Sequence, residues 1–177
     1  MKMRFDTVVR RFLLPAPLIT LLYALKYRCL ISPKAEVEYH PNLKIGRGTK
    51  VSSFTKIKAA EGPFSLGANV SIGTGCVISS HRAGLEIGDD TMISANTAII
   101  ASSYRYERSG VPMQYQETTA KGIRIGKDVW IGVNCAILDG ADIGDGAIIT
   151  PNSVVSAKIP PYAIASGNPA KVIFYRR

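Results

Sequence analysis

An aliphatic side chain returns every six residues from Ile45 onward. These aliphatics form five groups of three: Ile45, Val51 and Ile57; Leu66, Ile72 and Ile78; Ile87, Ile93 and Ile99; Ile125, Ile131 and Ile137; Ile143, Ile149 and Val155. Gly follows the first member of every group, and a small residue stands four places after most members. This hexapeptide array predicts a prism whose three sides are short parallel strands, with the aliphatic side chains stacked inside it. Because one coil cannot bury its apolar side chains alone, the stack of coils is the fold.

The spacing between coils locates three insertions. The first aliphatics of successive coils stand 21, 21, 38 and 18 residues apart, and 18 residues make a bare coil. The extra residues therefore fall at about 60–62, 82–84 and 104–122. All three insertions follow the third hexapeptide of a coil, so we expect them to leave the prism at one edge. Loops concentrated on one side of a solenoid commonly mark its binding face.

The remaining sequence divides around this array. The length of 177 residues suits one domain, with a capping segment over 1–40, the array over 41–160 and a tail over 161–177. Cys76 and Cys135 occupy small inward positions of the repeat, so we expect reduced cysteines in a cytoplasmic protein. The formal charge is +9, but the basic residues are dispersed without interleaved aromatics. Nucleic acid is therefore not an expected partner.

The N-terminal segment is apolar and basic. Arg10 and Arg11 precede an apolar run over 12–25, which is too short for the roughly 20 residues that cross a bilayer. One interpretation is a short helix that covers the open base of the prism, since solenoids need end caps. The other is peripheral membrane contact through residues 1–30, with basic side chains against lipid phosphates on the inner face of the membrane.

Three motifs resemble the hexapeptide-repeat acyltransferases, in particular the galactoside, maltose and capsule or lipopolysaccharide O-acetyltransferases. They are Ile125-Gly126-Lys127-Asp128-Val129-Trp130-Ile131-Gly132, Ile143-Gly144-Asp145-Gly146 and the segment 159–173, which contains Gly167-Asn168-Pro169-Ala170-Lys171-Val172-Ile173. The resemblance covers about residues 32–173. It implies an all-β, left-handed parallel β-helix of about five coils with an N-terminal helical segment and a C-terminal tail. It also implies a homotrimer that binds acetyl-coenzyme A (acetyl-CoA) in clefts between neighbouring prisms.

In that family a histidine at the start of the long insertion removes the proton from a sugar hydroxyl, which then attacks the thioester. Tyr104 stands at the matching position here. A phenol is neutral at pH 7 and a weak base. His81, three residues after Ile78, belongs to the same edge one coil earlier. Three hypotheses stay open: His81 is the base, Tyr104 or a water is the base, or the chain has lost this chemistry.

The resemblance also implies binding residues. An indole does not fit inside the small repeat, so Trp130 must point outward, and in the family its counterpart lines the cleft beside the cofactor. The other cofactor positions carried over are Val133, Pro151, Ser156, Ala157 and Lys171. For the sugar, we expect contacts from Arg105, Tyr106 and Arg108 in the long insertion.

The chain has two histidines, whereas the γ-type carbonic anhydrases of this scaffold need three on zinc, so we expect no metal site. The predicted function is acetyl transfer from acetyl-CoA to a hydroxyl, or less readily an amine, of a sugar in a bacterial surface glycan or its precursor. The alternative is a non-catalytic trimeric scaffold that has lost the base.

Overall fold

The hexapeptide period builds three flat parallel sheets, which we call faces A, B and C. The computed structural model describes residues 15–177, so predictions that concern Arg10, Arg11 and the start of the apolar run lie outside the described residues. The predicted left-handed parallel β-helix is confirmed. The chain runs from face C to face A to face B in each coil.

Each face collects one strand from every coil. Face A contains β1 (Leu30–Ile31), β4 (Lys50–Val51), β7 (Ser71–Ile72), β10 (Met92–Ile93), β15 (Trp130–Ile131), β18 (Ile148–Ile149), β21 (Ala163–Gly167) and the antiparallel β22 (Ala170–Tyr175). Face B contains β2 (Glu36–Val37), β5 (Lys56–Lys58), β8 (Val77–Ser79), β11 (Ala98–Ile100), β16 (Ala136–Leu138) and β19 (Val154–Val155). Face C contains β3 (Leu43–Ile45), β6 (Phe64–Leu66), β9 (Leu85–Ile87), β14 (Ile123–Ile125), β17 (Asp142–Ile143) and β20 (Lys158–Ile159).

The core is a set of aliphatic columns inside the prism. On face B, for example, Ile57, Ile78, Ile99 and Ile137 pair in register from coil to coil, and each is at most 1% exposed. The next strand on that face continues the column with Val155. Strand alternation then directs the neighbouring side chains outward.

The array extends beyond the five coils that the aliphatic triplets indicate. Ile31 and Val37 continue the inward columns of faces A and B below Val51 and Ile57. The turn from Val37 to Ile45 is two residues longer than the six-residue repeat, so the periodicity is interrupted there. Ile159 and Ala165 continue the inward columns of faces C and A above Ile143 and Ile149. The turn from Val155 to Ile159 is two residues shorter than the repeat. The segment predicted as a tail then folds back as β22 along β21.

Helix α1 (Ala16–Tyr27) packs beneath the first strands of faces A and B. Its side chains Ile19 and Tyr23 are buried there, and the Tyr23 hydroxyl donates to the Glu38 carbonyl at 3.0 Å. Burial raises the pKa of the Tyr23 phenol. The helix ends at Arg28, whose left-handed backbone (φ 51°) turns the chain into β1. Among the described residues, no helix is long and apolar enough to span a membrane.

Candidate functional site

The insertions leave the prism where face B turns into face C, which we call the B–C edge. The long insertion begins and ends as a two-stranded hairpin of β12 (Ser103–Tyr104) and β13 (Thr118–Thr119). The carboxylate of Asp139 holds its base by accepting the N–H groups of Lys121 (2.7 Å) and Gly122 (3.0 Å). The insertion is therefore anchored to the coil above it.

The sugar-contact candidates lie at the tip of this insertion. Arg105, Tyr106 and Arg108 are all exposed, and the Arg105 N–H donates to the Glu117 carbonyl at 2.8 Å. A single 3₁₀ turn at Met113–Tyr115 closes the tip. A pocket of about 300 Å³ lies within it, lined in part by Arg105 and Arg108. The tip can thus offer guanidinium donors to a hydroxyl-rich ligand.

Tyr104 lies on the first strand of the hairpin and is 50% exposed. Its strand partner is Thr118, whose carbonyl accepts a hydrogen bond from the Arg82 guanidinium at 2.8 Å. Arg82 belongs to the coil below, so this bond ties two levels of the B–C edge together. The half-exposed Tyr104 side chain is thus carried on a strand that is supported from the coil below.

His81 lies one coil below on the same edge. Its Nε2 is 3.1 Å from the Oε2 of Glu61, while its Nδ1 is buried and has no hydrogen-bond partner among the described residues. The His81 side chain is only 13% exposed, whereas that of Glu61 is 66% exposed. An incoming ligand can therefore meet His81 only through Nε2, after Glu61 moves aside.

Glu61 is a site residue that sequence reasoning missed. It falls in the short insertion 60–62, one coil below His81. Gly62 beside it approaches the His81 carbonyl so closely that a Cβ would not fit between them. The available signal was an acidic residue inside an insertion that stacks directly below an edge histidine.

Trp130 lies on face A and points outward, with 44% of its surface exposed. Its indole N–H donates to the Ser94 hydroxyl at 3.2 Å, and Met92 and Ile148 flank it in register. A shallow pocket of about 360 Å³ adjoins the indole, and Asp128 and Arg176 help to line it. An aromatic surface beside a pocket is suited to ligand or subunit contact.

The predicted cofactor residues are spread over three places on one protomer. Val133 and Pro151 stack at the turn between faces A and B, where the Asn152 N–H donates to the Val133 carbonyl at 3.0 Å. Ser156 and Ala157 share the B–C edge with His81 and Tyr104. Lys171 lies on β22, beside face A with Trp130. In a triangular prism face A is opposite the B–C edge, so a single protomer does not bring Trp130 to His81.

The outward surfaces of the three faces differ in chemistry. Face B is apolar in its upper coils, and face A is apolar around Trp130. The apolar side chains that point outward in these coils are Val77, Ala98, Ile100, Ala136, Leu138 and Val154, whereas the lower coils of face B carry Glu36, Lys56 and Lys58. Face C is charged: the Asp142 carboxylate lies 3.3 Å from the Arg124 guanidinium and 3.9 Å from the Lys158 Nζ. Two adjoining faces are therefore suited to protein contact and the third to water.

Within residues 15–177, no group of three or more His, Cys, Asp or Glu side chains is arranged to hold a metal ion.

Comparison with known proteins identifies the repeat. The family described as "Bacterial transferase hexapeptide (six repeats)" matches residues 122–157, and "Hexapeptide repeat of succinyl-transferase" matches residues 63–101. The chain is 35% identical over 135 residues to the probable acetyltransferase Rv3034c of Mycobacterium tuberculosis, covering 76% of this chain and 45% of that protein. It is 26% identical over 176 residues to the Escherichia coli K12 protein WbbJ, named for O-acetyl transfer in lipopolysaccharide biosynthesis, covering 96% of this chain and 87% of WbbJ. The chain thus spans less than half of the first relative and most of the second.

Among solved structures, the fold is shared with a mutant of AntD, an N-acyltransferase from Bacillus cereus in complex with dTDP and coenzyme A. The TM-score is 0.78 at 22% identity, and 89% of each chain is covered.

Proposed function

The chain belongs to the hexapeptide-repeat acyltransferase family, and on that premise we propose that it transfers an acetyl group from acetyl-CoA to a sugar. The acceptor we propose is a hydroxyl, or less readily an amine, of a bacterial surface glycan or its precursor. The observation that carries this proposal is that the prism has two features suited to ligand binding. They are the anchored insertion at the B–C edge and the exposed Trp130 indole on face A.

We propose that these two elements meet in a homotrimer. A three-fold ring needs two different contact patches on each protomer, and the apolar faces A and B are such a pair. If face B of one protomer packs against face A of the next, the charged face C stays in water. The B–C edge of the first protomer then borders the second protomer's face A. His81 and Tyr104 would share one cleft with Trp130 of the neighbouring copy.

In this cleft each group has a distinct task. Acetyl-CoA supplies the activated acetyl thioester, and Trp130, Val133, Pro151, Ser156, Ala157 and Lys171 are the residues proposed to hold it. His81 Nε2 accepts the proton of the acceptor hydroxyl once Glu61 is displaced, so that the oxygen can form the new ester bond as the C–S bond breaks. The departing thiolate takes the proton back from His81. Arg105, Tyr106 and Arg108 orient the sugar by hydrogen bonds.

A second candidate, a non-catalytic trimeric scaffold, is favoured by the state of the His81 ring. One ring nitrogen is buried and the other faces Glu61, while the family histidine position holds Tyr104. In a single protomer, therefore, neither His81 nor Tyr104 presents an unpaired basic atom to solvent.

Titration calorimetry with acetyl-CoA, followed by thiol release with added sugars, separates these functions. The transferase binds acetyl-CoA and releases free thiol only when an acceptor is present. Parallel assays with a sugar and its amino analogue identify the acceptor atom, since an amine that is already unprotonated needs no base before attack. Absence of both binding and thiol release would contradict the transferase and favour the scaffold.

The cysteines support a reducing compartment. Cys29, Cys76 and Cys135 are buried free thiols. We therefore propose a cytoplasmic location, as disulfides are rare there.

A further inference from the structure

Helix α1 is apolar on both of its sides. Its inner side buries Ile19 and Tyr23 against the prism. Four leucines are exposed on its outer side, by 42%, 54%, 36% and 73% in chain order, and we call them the leucine face: Leu18, Leu21, Leu22 and Leu25. At about 100° per residue the mean direction of these leucines is about 130° from that of the buried pair, so most of the leucine face points away from the prism. A helix that is apolar all round is normally covered all round.

Basic residues lie at the C-terminal end of the leucine face and precede the helix in the sequence. Lys26 and Arg28 are exposed at the end of the helix. The sequence before the helix contributes four further cations, against the single acid Asp6: Lys2, Arg4, Arg10 and Arg11. An apolar helical surface in a basic segment of the chain complements anionic lipid, in which leucines enter the acyl boundary and cations meet phosphates.

We propose that the leucine face docks the protein on an anionic lipid surface. The helix has 12 residues and so is about 18 Å long, well short of the roughly 30 Å hydrocarbon core. It is held flat against the prism by the Tyr23 hydroxyl and by Tyr27, whose hydroxyl donates to the Leu43 carbonyl at 3.4 Å. The helix therefore lies on the membrane and does not cross it. Leu30, at the start of β1, is a further exposed apolar side chain at this end of the prism.

The position of α1 on the prism indicates how the membrane contact would serve the proposed activity. The helix packs on the first rung, at the opposite end of the prism from β22. In the proposed trimer the three prisms stand side by side, so three leucine faces lie at one end and bind one surface together. Together with the proposed function, on which this part of the inference rests, membrane docking indicates that the acceptor is a lipid-linked glycan precursor. The docking itself rests on α1 and the basic residues beside it in the sequence, and it does not depend on the proposed function.

Vesicle sedimentation with the full chain tests the docking. The probes are vesicles of phosphatidylglycerol with phosphatidylethanolamine, and neutral vesicles of phosphatidylcholine. The test variant is Leu21→Gln with Leu25→Gln, because Gln keeps helix propensity and removes apolar surface. The matched control is Ile173→Gln with Phe174→Gln, which removes two exposed apolar side chains from β22 at the other end of the prism.

The wild type is expected to sediment with the anionic vesicles and far less with the neutral ones. The leucine variant should lower the partition coefficient at least about tenfold, because each leucine loses its burial in lipid. The control should stay within about twofold of the wild type, as surface substitutions elsewhere have small effects. Thermal unfolding of both variants near that of the wild type shows that the fold is kept.

Failure of the wild type to sediment with anionic vesicles would overturn the proposal, as would equal losses in both variants. So would a lipid-free assembly larger than a trimer that the leucine variant alone dissociates, because another copy would then cover the leucine face. Acetyl transfer to a water-soluble sugar, measured on the same samples, shows separately whether the proposed activity holds.

Discussion

Small polar side chains join successive coils at the inward corners of the prism. The Thr55 hydroxyl donates to the Gly73 carbonyl at 2.7 Å and accepts the Cys76 N–H at 3.3 Å. Thr97 forms the same bridge to the coil that contains Cys135. Each bridge satisfies buried backbone groups where the chain turns between strands. The small slots of the repeat therefore require a small side chain, and a hydroxyl or thiol there adds a hydrogen bond, as the Cys76 thiol does to the Ser94 carbonyl at 3.2 Å.

The cysteines should accordingly be unreactive in the folded protein. Burial raises the pKa of the Cys29, Cys76 and Cys135 thiols, which keeps them neutral at pH 8 and shields them from reagents. Ellman's reagent is expected to detect almost no thiol in the native protein within minutes and all three after unfolding in guanidinium chloride. Rapid labelling of native protein would contradict this packing.

Substitutions at the B–C edge identify the base. His81→Asn keeps a polar side chain of similar size and removes the imidazole, so kcat should fall by about 10²–10⁴-fold with little change in the KM for acetyl-CoA. Tyr104→Phe removes one hydroxyl from an exposed position and serves as the matched variant. It should retain most of the activity. The reverse pattern would assign the base to Tyr104, and unchanged kcat in both variants would exclude the edge from proton transfer.

At the scale of elements, close approach of backbone segments explains the glycine that follows the first aliphatic of each coil. A Cβ on Gly88 would lie 2.6 Å from the carbonyl carbon of Gly126 in the next coil. A side chain there would force successive turns apart, and strand pairing on faces C and A would loosen with them. The glycine is thus required by the spacing of the stacked turns.

Gly88→Ala should therefore destabilise the protein by about 1–3 kcal/mol or more through overpacking. The matched control is Gly110→Ala in the long insertion, where a Cβ would meet no atom within 4 Å. Its free energy of unfolding should stay near that of the wild type. Urea unfolding followed by circular dichroism measures both, and equal stability of the two variants would refute the close-stacking argument.

The anchor of the long insertion can be tested without unfolding the prism. Asp139→Ala leaves the N–H groups of Lys121 and Gly122 without their carboxylate, and the Thr119 hydroxyl loses its 3.2 Å contact with it. Trypsin should then cleave the insertion faster at Arg105 and Arg108, while the coils stay intact. The control Asp142→Asn weakens only exposed ion pairs on face C and should not change the cleavage rate. Equal rates in all three proteins would mean that Asp139 does not hold the insertion.

Periodicity predicted the elements wherever it was uninterrupted. The strands from Ile45 to Val155 follow from six-residue spacing, because each inward slot must hold an aliphatic side chain. The rungs at Ile31 and Ile159 were not predicted, since a longer and a shorter turn displace them from the period. The antiparallel return of β22 carries no hexapeptide signal at all.

At the scale of the whole molecule, the site is divided between opposite sides of the prism. That Trp130 would point outward followed from its size, because an indole does not fit a slot made for small side chains. The contact between His81 and Glu61 did not follow from the sequence, because the fold of two short insertions sets the 3.1 Å distance. Sequence spacing also cannot reveal that face A and the B–C edge need two copies to meet.

Mixed trimers test this composite cleft most directly. One variant carries His81→Asn with Tyr104→Phe, the other carries Trp130→Ala, and each is expected to be nearly inactive alone. If every cleft joins the B–C edge of one protomer to face A of the next, random co-assembly at equal amounts leaves about one quarter of the clefts intact. We predict that acetyl transfer, measured as thiol release, returns to about one quarter of the wild-type rate after the two variants are unfolded and refolded together. Activity that stays at the level of the separate variants would contradict a cleft shared between protomers.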